Sequence, residues 1–332
     1  MYNTTYHQTD LSKLKILVTG GAGFIGSNIV EYLMKYNVGK VRVLDNLSNG
    51  NYKNISKYEN DPRFEFVEGD IANIGTCLEA CKGMDMITHQ AALGSVPRSI
   101  KDPARSNQAN VTGFLNVLIA AKDSNIKRVV YASSSSVYGD HPALPKIEEQ
   151  IGNPLSPYAV TKFTNELYAT VFGSTYDMEI IGLRYFNIFG PNQDPNNPYA
   201  AVIPIFVSKI LSREDVFIDG DGEQSRDFTF VENAVQANIK ALLTENKEAV
   251  NQVYNIAVGE KFSVNYLYDQ IQKILASDHR PIHREARKGD VRNSLADISK
   301  AQRLLNYNPL FKFEDGLPIT VAYFSKMYEN NS

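Results

Sequence analysis

The chain is poor in cysteine, has no clustered positive charge and lacks long apolar runs, and each shortage closes off a class of protein. Its 332 residues contain two cysteines, Cys77 and Cys81. They stand four apart on an expected helix, with no second pair and no nearby histidine. That excludes a disulfide framework and a zinc site and reads as core packing, so no metal is expected. Lys and Arg number 34 against 37 Asp and Glu, a net charge of −3. Without a basic excess or a basic cluster, neither nucleic acid nor a membrane surface is an expected partner. The longest apolar stretches, such as residues 111–121, contain Thr, Gly and Asn and are too short to span a bilayer. Residues 1–10 have neither the charge nor the apolar segment of a signal peptide, so a cytoplasmic enzyme is expected.

What is present begins with a strand, a glycine turn and a helix. Lys15-Ile16-Leu17-Val18-Thr19 is a short apolar run of the kind that forms a buried parallel strand. Gly20-Gly21-Ala22-Gly23-Phe24-Ile25-Gly26 comes directly after it, and an amphipathic stretch then runs to Tyr36. Glycines at 20, 23 and 26 permit a tight turn, bring backbone amides close to a pyrophosphate and let the helix pack on the sheet. A second apolar strand over 40–44 ends in Asp45. A carboxylate there suits the two hydroxyls of an adenine ribose and repels a 2′-phosphate, which favours NAD over NADP.

Strands over 64–67, 84–88 and 128–132 alternate with helical patterns over 73–82 and 103–124. This rhythm predicts an α/β fold, a doubly wound parallel Rossmann sheet, whose ligand lies at the carboxyl ends of the strands. Gly20, Asp45, Asp70, His89 and Ser133 all fall there. His89 stands alone without a partner carboxylate and reads as strand-end packing and cofactor wall. Downstream, Tyr158 and Lys162 are four apart on an expected helix and share one face. A nearby ammonium and a positively charged nicotinamide ring both favour the phenolate, which makes the tyrosine a usable base near neutral pH.

Together, Thr19–Gly26, Asp45-Asn46, Gly69-Asp70-Ile71, His89-Gln90-Ala91-Ala92, Ser134 and Tyr158-x-x-x-Lys162 resemble the extended short-chain dehydrogenase/reductase family over about residues 14–320. Leu183-Arg184-Tyr185-Phe186-Asn187, Gly222–Phe228 and Gly289-Asp290-Val291-Arg292 are similar to blocks of its nucleotide-sugar 4-epimerases. Ala92–Ser99 and Tyr138–Pro142 resemble the bacterial UDP-N-acetylglucosamine 4-epimerases. The resemblance implies tightly held NAD. It also implies Tyr158 as the base on the sugar 4-hydroxyl, Lys162 holding the nicotinamide ribose and depressing the Tyr158 pKa, and Ser134 bonding the reacting oxygen. Gly20, Gly23, Phe24, Ile25, Gly26, Asp45, Asn46, Asp70, Ile71, Gln90, Ala91, Ala92, Asn110 and Tyr185 are the implied cofactor contacts.

On the substrate side the resemblance implies Gly94, Ser95, Ser135 and Asn187 around the sugar and diphosphate, with Ser95 and Ser135 available to an acetamide. Arg226 and Arg287 match diphosphate-binding arginines, Phe217 a stacking position for uracil, Ala201 and Val202 a backbone-lined base site, and Asp290 completes the set. Ser294 aligns with a gate beside the sugar 2-substituent, where glucose-restricted relatives carry tyrosine. Related dehydratases carry Asp-Glu after the catalytic serine and related decarboxylases a Glu; here Ser135 and Ser136 demote both reactions. Gly190-Pro191-Asn192-Gln193 lacks the arginine pair of close relatives, which disfavours a uronate.

Residues 1–190 with about 228–258 are expected to form the NAD domain, and 191–227 with 259–332 a smaller C-terminal α+β substrate-binding lobe. The leading expectation is a UDP-N-acetylglucosamine/UDP-N-acetylgalactosamine 4-epimerase whose partner is the UDP-N-acetylhexosamine. Alternatives are a UDP-glucose/UDP-galactose or UDP-hexuronate 4-epimerase and, from another class, a non-catalytic NAD sensor on the same fold. Family members commonly dimerise through two helices per subunit, here those over 103–124 and 158–176, so a homodimer is expected.

Overall fold

The computed structural model describes residues 1–195, 201–286 and 292–330. The first half runs β1 (Lys15–Thr19), α1 (Phe24–Lys35), β2 (Lys40–Asp45), β3 (Phe64–Glu68), α2 (Ile74–Cys81), β4 (Met86–His89), α3 (Val96–Lys101), α4 (Pro103–Asn107), α5 (Gly113–Asp123), β5 (Arg128–Ser134), α6 (Pro157–Tyr176) and β6 (Glu179–Tyr185). Beyond it come β7 (Ile188–Phe189), α7 (Val202–Leu211), β8 (Phe217–Asp219), β9 (Ser225–Arg226), β10 (Thr229–Phe230), α8 (Val231–Leu243), β11 (Gln252–Ile256), β12 (Phe262–Ser263), α9 (Val264–Leu275), β13 (Ile282–Arg284), α10 (Ser299–Leu305) and α11 (Phe313–Glu329).

Seven strands form one parallel sheet in the order β11-β6-β5-β4-β1-β2-β3. Successive side chains point to opposite faces. Ile16, Val18, Val130, Ala132, Ile181 and Leu183 therefore pack with α1 and α8 on one side. Leu17, Ile87, Val129, Tyr131 and Ile180 pack with α2, α5 and α6 on the other. Strand order reverses between β1 and β4, and a crevice opens above that point, as the alternation predicts. A second core of Phe189, Phe206, Val207, Ile218, Leu267, Phe313 and Leu317 lies among α7, α9 and α11 and the short strand pairs.

The single helix expected over 103–124 is broken. Gln108–Thr112 is a π turn between α4 and α5. It lets Asn110 turn inward, accepting from the Leu93 amide at 2.8 Å and donating to the Leu93 carbonyl at 3.3 Å and Thr161 Oγ1 at 3.1 Å. Cys77 and Cys81 are free and buried, and burial pushes both thiols up to about 12. Among the described residues no group of His, Cys, Asp or Glu could hold a metal, and no helix is long and apolar enough to cross a membrane.

One carboxylate joins three stretches of the outer half. Asp227, fully buried, accepts from Val258 N at 3.1 Å, Gly259 N at 3.0 Å and Ala296 N at 3.4 Å. Burial raises its pKa to about 7 against the pull of those amides. Asp227→Asn places an amide NH2 against backbone N–H groups and leaves donors unpaired. The expected loss is about 1–3 kcal/mol, read as a lower midpoint of urea unfolding at pH 8; an unchanged midpoint would show that the carboxylate is not a clasp.

Candidate active site

The glycine turn is held by contact as much as by conformation. Gly20 sits at φ +68°, and a Cβ there would lie 2.6 Å from the Ala91 amide nitrogen. A Cβ on Gly26 would lie 2.1 Å from the Gly20 carbonyl oxygen. Only a chain without side chains at both positions can bring the end of β1 against the end of β4 and lay α1 over it. Gly23 caps α1 without any side chain, so the helix's first amides face the crevice. Asp45 accepts from Ala22 N at 3.0 Å and Leu47 N at 2.9 Å, and burial raises its pKa. Asn46 donates to Asp70 at 3.0 Å.

Three cavities share walls along the crevice. One of about 310 Å³ holds Gly20, Gly23, Asp45, Asn46, Asp70, Ile71, Gln90, Ala91 and Ala92. It shares Gly20, Gly23, Gln90 and Ala92 with one of about 1360 Å³, which also has Phe24, Ile25, Gly26, Gly94, Ser134, Tyr158, Lys162, Tyr185 and Asn187 on its wall. Asn187 and Ala201 then border a third of about 650 Å³, lined by Val202, Phe217 and Arg226. The trough thus runs from Asp45 past Tyr158 to Phe217. Phe217 is 38 % exposed, at the edge of β8, with the Arg284 guanidinium 5.3 Å from its ring centre.

Ser156 caps α6 by accepting from Ala159 N at 3.1 Å, and Pro157 opens it, so Tyr158 stands in the first turn. Its amide donates to Ser99 Oγ at 3.0 Å, which ties α6 to α3. A Cβ on Gly94 would lie 4.0 Å from the Tyr158 oxygen with nothing else within reach, so Gly94 leaves room beside the phenol on the cavity wall. Ser134, at the end of β5, accepts from Ser136 N at 3.1 Å and stands on the same cavity wall as that phenol. Lys162 lies one turn below, 2 % exposed, and donates to the Ala132 carbonyl at 2.8 Å.

The electrostatics correct one expectation. Burial raises the Tyr158 pKa and the Ser134 hydroxyl draws it back, but Lys162 has no part in it. The ammonium is turned to the sheet, and burial lowers its own pKa to about 8. The bond the ammonium makes is thus to the Ala132 carbonyl and not to the phenol.

Several expected contacts lie off the trough. Asn110 spends both polar atoms on Leu93 and Thr161, so it braces the wall and does not face the cofactor space. His89 is no cofactor wall: it is 1 % exposed, bonds Thr19 Oγ1 through Nδ1 at 2.8 Å, and burial lowers its pKa to about 3. Ser95 Oγ caps α3, accepting from Arg98 N at 3.2 Å. Ser135 lies in the 3₁₀ turn Ser135–Tyr138 and Ser294 donates its amide to the Ser225 carbonyl at 3.0 Å; neither lines the three cavities. Arg287 and Asp290 lie outside the described residues.

Asn238 was missed because it lies on α8, far along the chain. It donates to Tyr185 Oη at 2.7 Å and accepts from Gln90 at 3.0 Å, while Tyr185 Oη donates to Gln90 Oε1 at 3.1 Å. This ring fixes two wall residues at once. Its only sequence trace is a polar residue within an apolar helix face.

A dinucleotide fits what is present: glycines leave room at the turn, helix amides face it, and a buried carboxylate stands where a ribose would end. Residues 16–257 match the model of the NAD dependent epimerase/dehydratase family. The solved UDP-N-acetylglucosamine 4-epimerase of Methanobrevibacter ruminantium, in complex with UDP-N-acetylmuramic acid, is 42% identical, with 95% of this chain and 99% of that one covered and a TM-score of 0.89. The UDP-glucose 4-epimerase of Thermotoga maritima with UDP-glucose is 35% identical over 95% and 100%, again with a TM-score of 0.89. A UDP-glucuronate 4-epimerase of Thermodesulfobacterium geofontis is 32% identical over 94% and 97%. The chain belongs to the NAD dependent epimerase/dehydratase family and is a nucleotide-sugar 4-epimerase that works with NAD.

Lys162 also makes a pH test. A lysine whose folded pKa is about 8, against an ordinary 10.5, penalises folding below pH 8, and the penalty fades as pH rises toward 10.5. The stability of Lys162→Met relative to the parent is therefore expected to fall across that window, followed by urea midpoints at pH 7, 9 and 10.5. A flat difference would mean that the ammonium is not buried as described.

Proposed function

We propose that the chain interconverts UDP-N-acetylglucosamine and UDP-N-acetylgalactosamine. The carrying observation is the 42% identity to a UDP-N-acetylglucosamine 4-epimerase along nearly the whole chain. Supporting it, no arginine pair comes after Gly190 to favour a uronate. Ser135 and Ser136 supply no carboxylate for dehydration or decarboxylation.

In this reading Asp45 takes the adenine-ribose hydroxyls, the amides opening α1 take the pyrophosphate, and Lys162 takes the nicotinamide ribose. Bound NAD supplies the hydride acceptor and donor for C4 of the sugar. Tyr158 removes the 4-hydroxyl proton, with Ser134 bonding the same oxygen, and returns it after the 4-keto sugar has turned over. Gly94 leaves the space beside the phenol in which that rotation occurs. Asn187 and Arg226 hold the diphosphate and Phe217 the uracil. Since Lys162 does not lower the phenol's pKa, the positive charge that favours the phenolate arrives with the oxidised cofactor. Catalysis by the base alone contributes about 10²–10⁴-fold, so Tyr158→Phe should lose that much kcat with little change in KM.

The protein is further proposed to pair with a second copy. Val160, Leu167 and Val171 are each at least half exposed and form one apolar stripe on α6. Leu167→Glu should convert a dimer into a monomer in light-scattering chromatography; a monomeric parent would dismiss the pairing.

Proton NMR of the purified protein with UDP-N-acetylglucosamine, UDP-glucose and UDP-N-acetylglucosaminuronic acid in separate tubes tests the substrate. Fastest appearance of the galacto epimer from the first is expected. Faster turnover of either other sugar reassigns the substrate. No turnover in any tube, even with added NAD, would remove the epimerase reading in favour of a sensor.

A further inference from the structure

Beneath the reacting groups lies a buried ion pair that the mechanism above does not use. Glu166 is 7 % exposed and Arg184 2 %. Arg184 Nε donates to Glu166 Oε1 at 2.9 Å and its Nη2 to Oε2 at 2.7 Å, a two-pronged contact. Ser133 Oγ donates to the same Oε1 at 2.6 Å. Arg184 Nη1 reaches the Glu148 carbonyl at 2.8 Å, and its guanidinium lies 4.9 Å from the Tyr138 ring centre.

The partners' places in the chain make the pair informative. Ser133 precedes Ser134, Arg184 precedes Tyr185, and Glu166 is one helical turn past Lys162. In the register of β5 and β6, Ser133 faces Arg184 and Ser134 faces Tyr185. One carboxylate therefore touches the residue next to the reacting serine, the residue next to a wall tyrosine, and the helix that carries the phenol and the lysine. A buried ion pair is a poor way to gain stability, because desolvating both charges costs about as much as their attraction returns. Two apolar residues would fill the space between β5, β6 and α6 without that cost, but they would not specify the register of a strand end against a helix turn.

We propose that Glu166 is a positioning residue of the reaction: its carboxylate locks the strand ends bearing Ser134 and Tyr185 to the helix turn bearing Tyr158 and Lys162. The inference rests on the roles given to Ser134, Tyr158 and Lys162 and is independent of which sugar is turned over. The pair has an electrostatic side too. Glu166 is the anion that supports the charge of Lys162 against burial. The other ionisable groups around the pair are Arg184 from β6 and Tyr131 from β5, with Tyr138 against the far side of Arg184, and His89 from β4 lies in the field of Lys162.

Glu166→Gln alone strands the Arg184 charge and can unfold the protein, so the decisive variant is Glu166→Gln with Arg184→Gln, beside the conservative Glu166→Asp. All are assayed as NAD-loaded protein on whichever sugar the parent turns over. A parent inactive on every sugar would therefore fail the proposed function and not this inference. In the folded double variant kcat is expected to fall about 10–100-fold, the scale of a misplacement near one ångström, with KM and bound NAD unchanged. The alkaline limb of the kcat profile should move to lower pH as Lys162 loses its supporting anion, and Glu166→Asp should recover part of kcat. A folded double variant with parental kcat and pH profile would overturn the proposal. So would a joint loss of kcat, KM and NAD, which marks general loosening, or failure of both variants to fold, which marks a role in folding alone.

Discussion

The constraint on which the rest depends is the collision of two strand ends. β1 and β4 lie side by side at the point where strand order reverses, and there the Gly20 backbone comes against that of Ala91 with no room for a single added carbon. Thr19 and His89, the last residues of the two strands, are both buried and are tied by a hydrogen bond of 2.8 Å. From that contact α1 departs in one direction and the 90–94 segment in the other, and the crevice is the gap between them. The glycine turn and the 90–94 segment are its two lips, and the groups farther along the trough come from β5, α6, β8 and β9.

The second theme is charge held away from water. Lys162, Asp227, Glu166 and Arg184 are all buried, and burial works against the charged form of Lys162, Asp227 and Arg184. Asp227 serves as a clasp between backbone stretches, whereas the other three stand beside the reacting groups, where a buried charge is tolerated for something other than stability. Near the phenol the one such charge is the Lys162 ammonium, which is spent on the Ala132 carbonyl.

Much of this was legible in the residues. The glycine spacing, the apolar strands and the Asp at the end of β2 placed the sheet and its binding edge, because backbone packing leaves few residue choices at those points. Tyr158 and Lys162 were legible as a pair because helical spacing fixes a shared face. Spacing does not fix reach, however: Lys162 turned to the Ala132 carbonyl and not to the phenol. Ser95, Asn110 and His89 are engaged by structural partners for a common reason. A polar side chain near a site serves a cap, a brace or a strand tie as readily as a ligand, and only the placement of its partner decides which. The partners of Glu166 and Asn238 come from strands and turns separated by tens of residues, and no local pattern announces them.

The π turn at Gln108–Thr112 carries a consequence for how this chain can change by descent. It amounts to one residue more than a regular helix would hold between α4 and α5. Losing any one residue there would rewind the segment to ordinary geometry and rotate α5 relative to α4 by about 100°. Asn110 could then keep its grip on Leu93, or Phe114, Val117 and Leu118 could stay buried, but not both. Substitutions can accumulate along this helix one at a time, whereas a single-codon deletion has no neutral path through it. The helix's length is therefore inherited more rigidly than its composition.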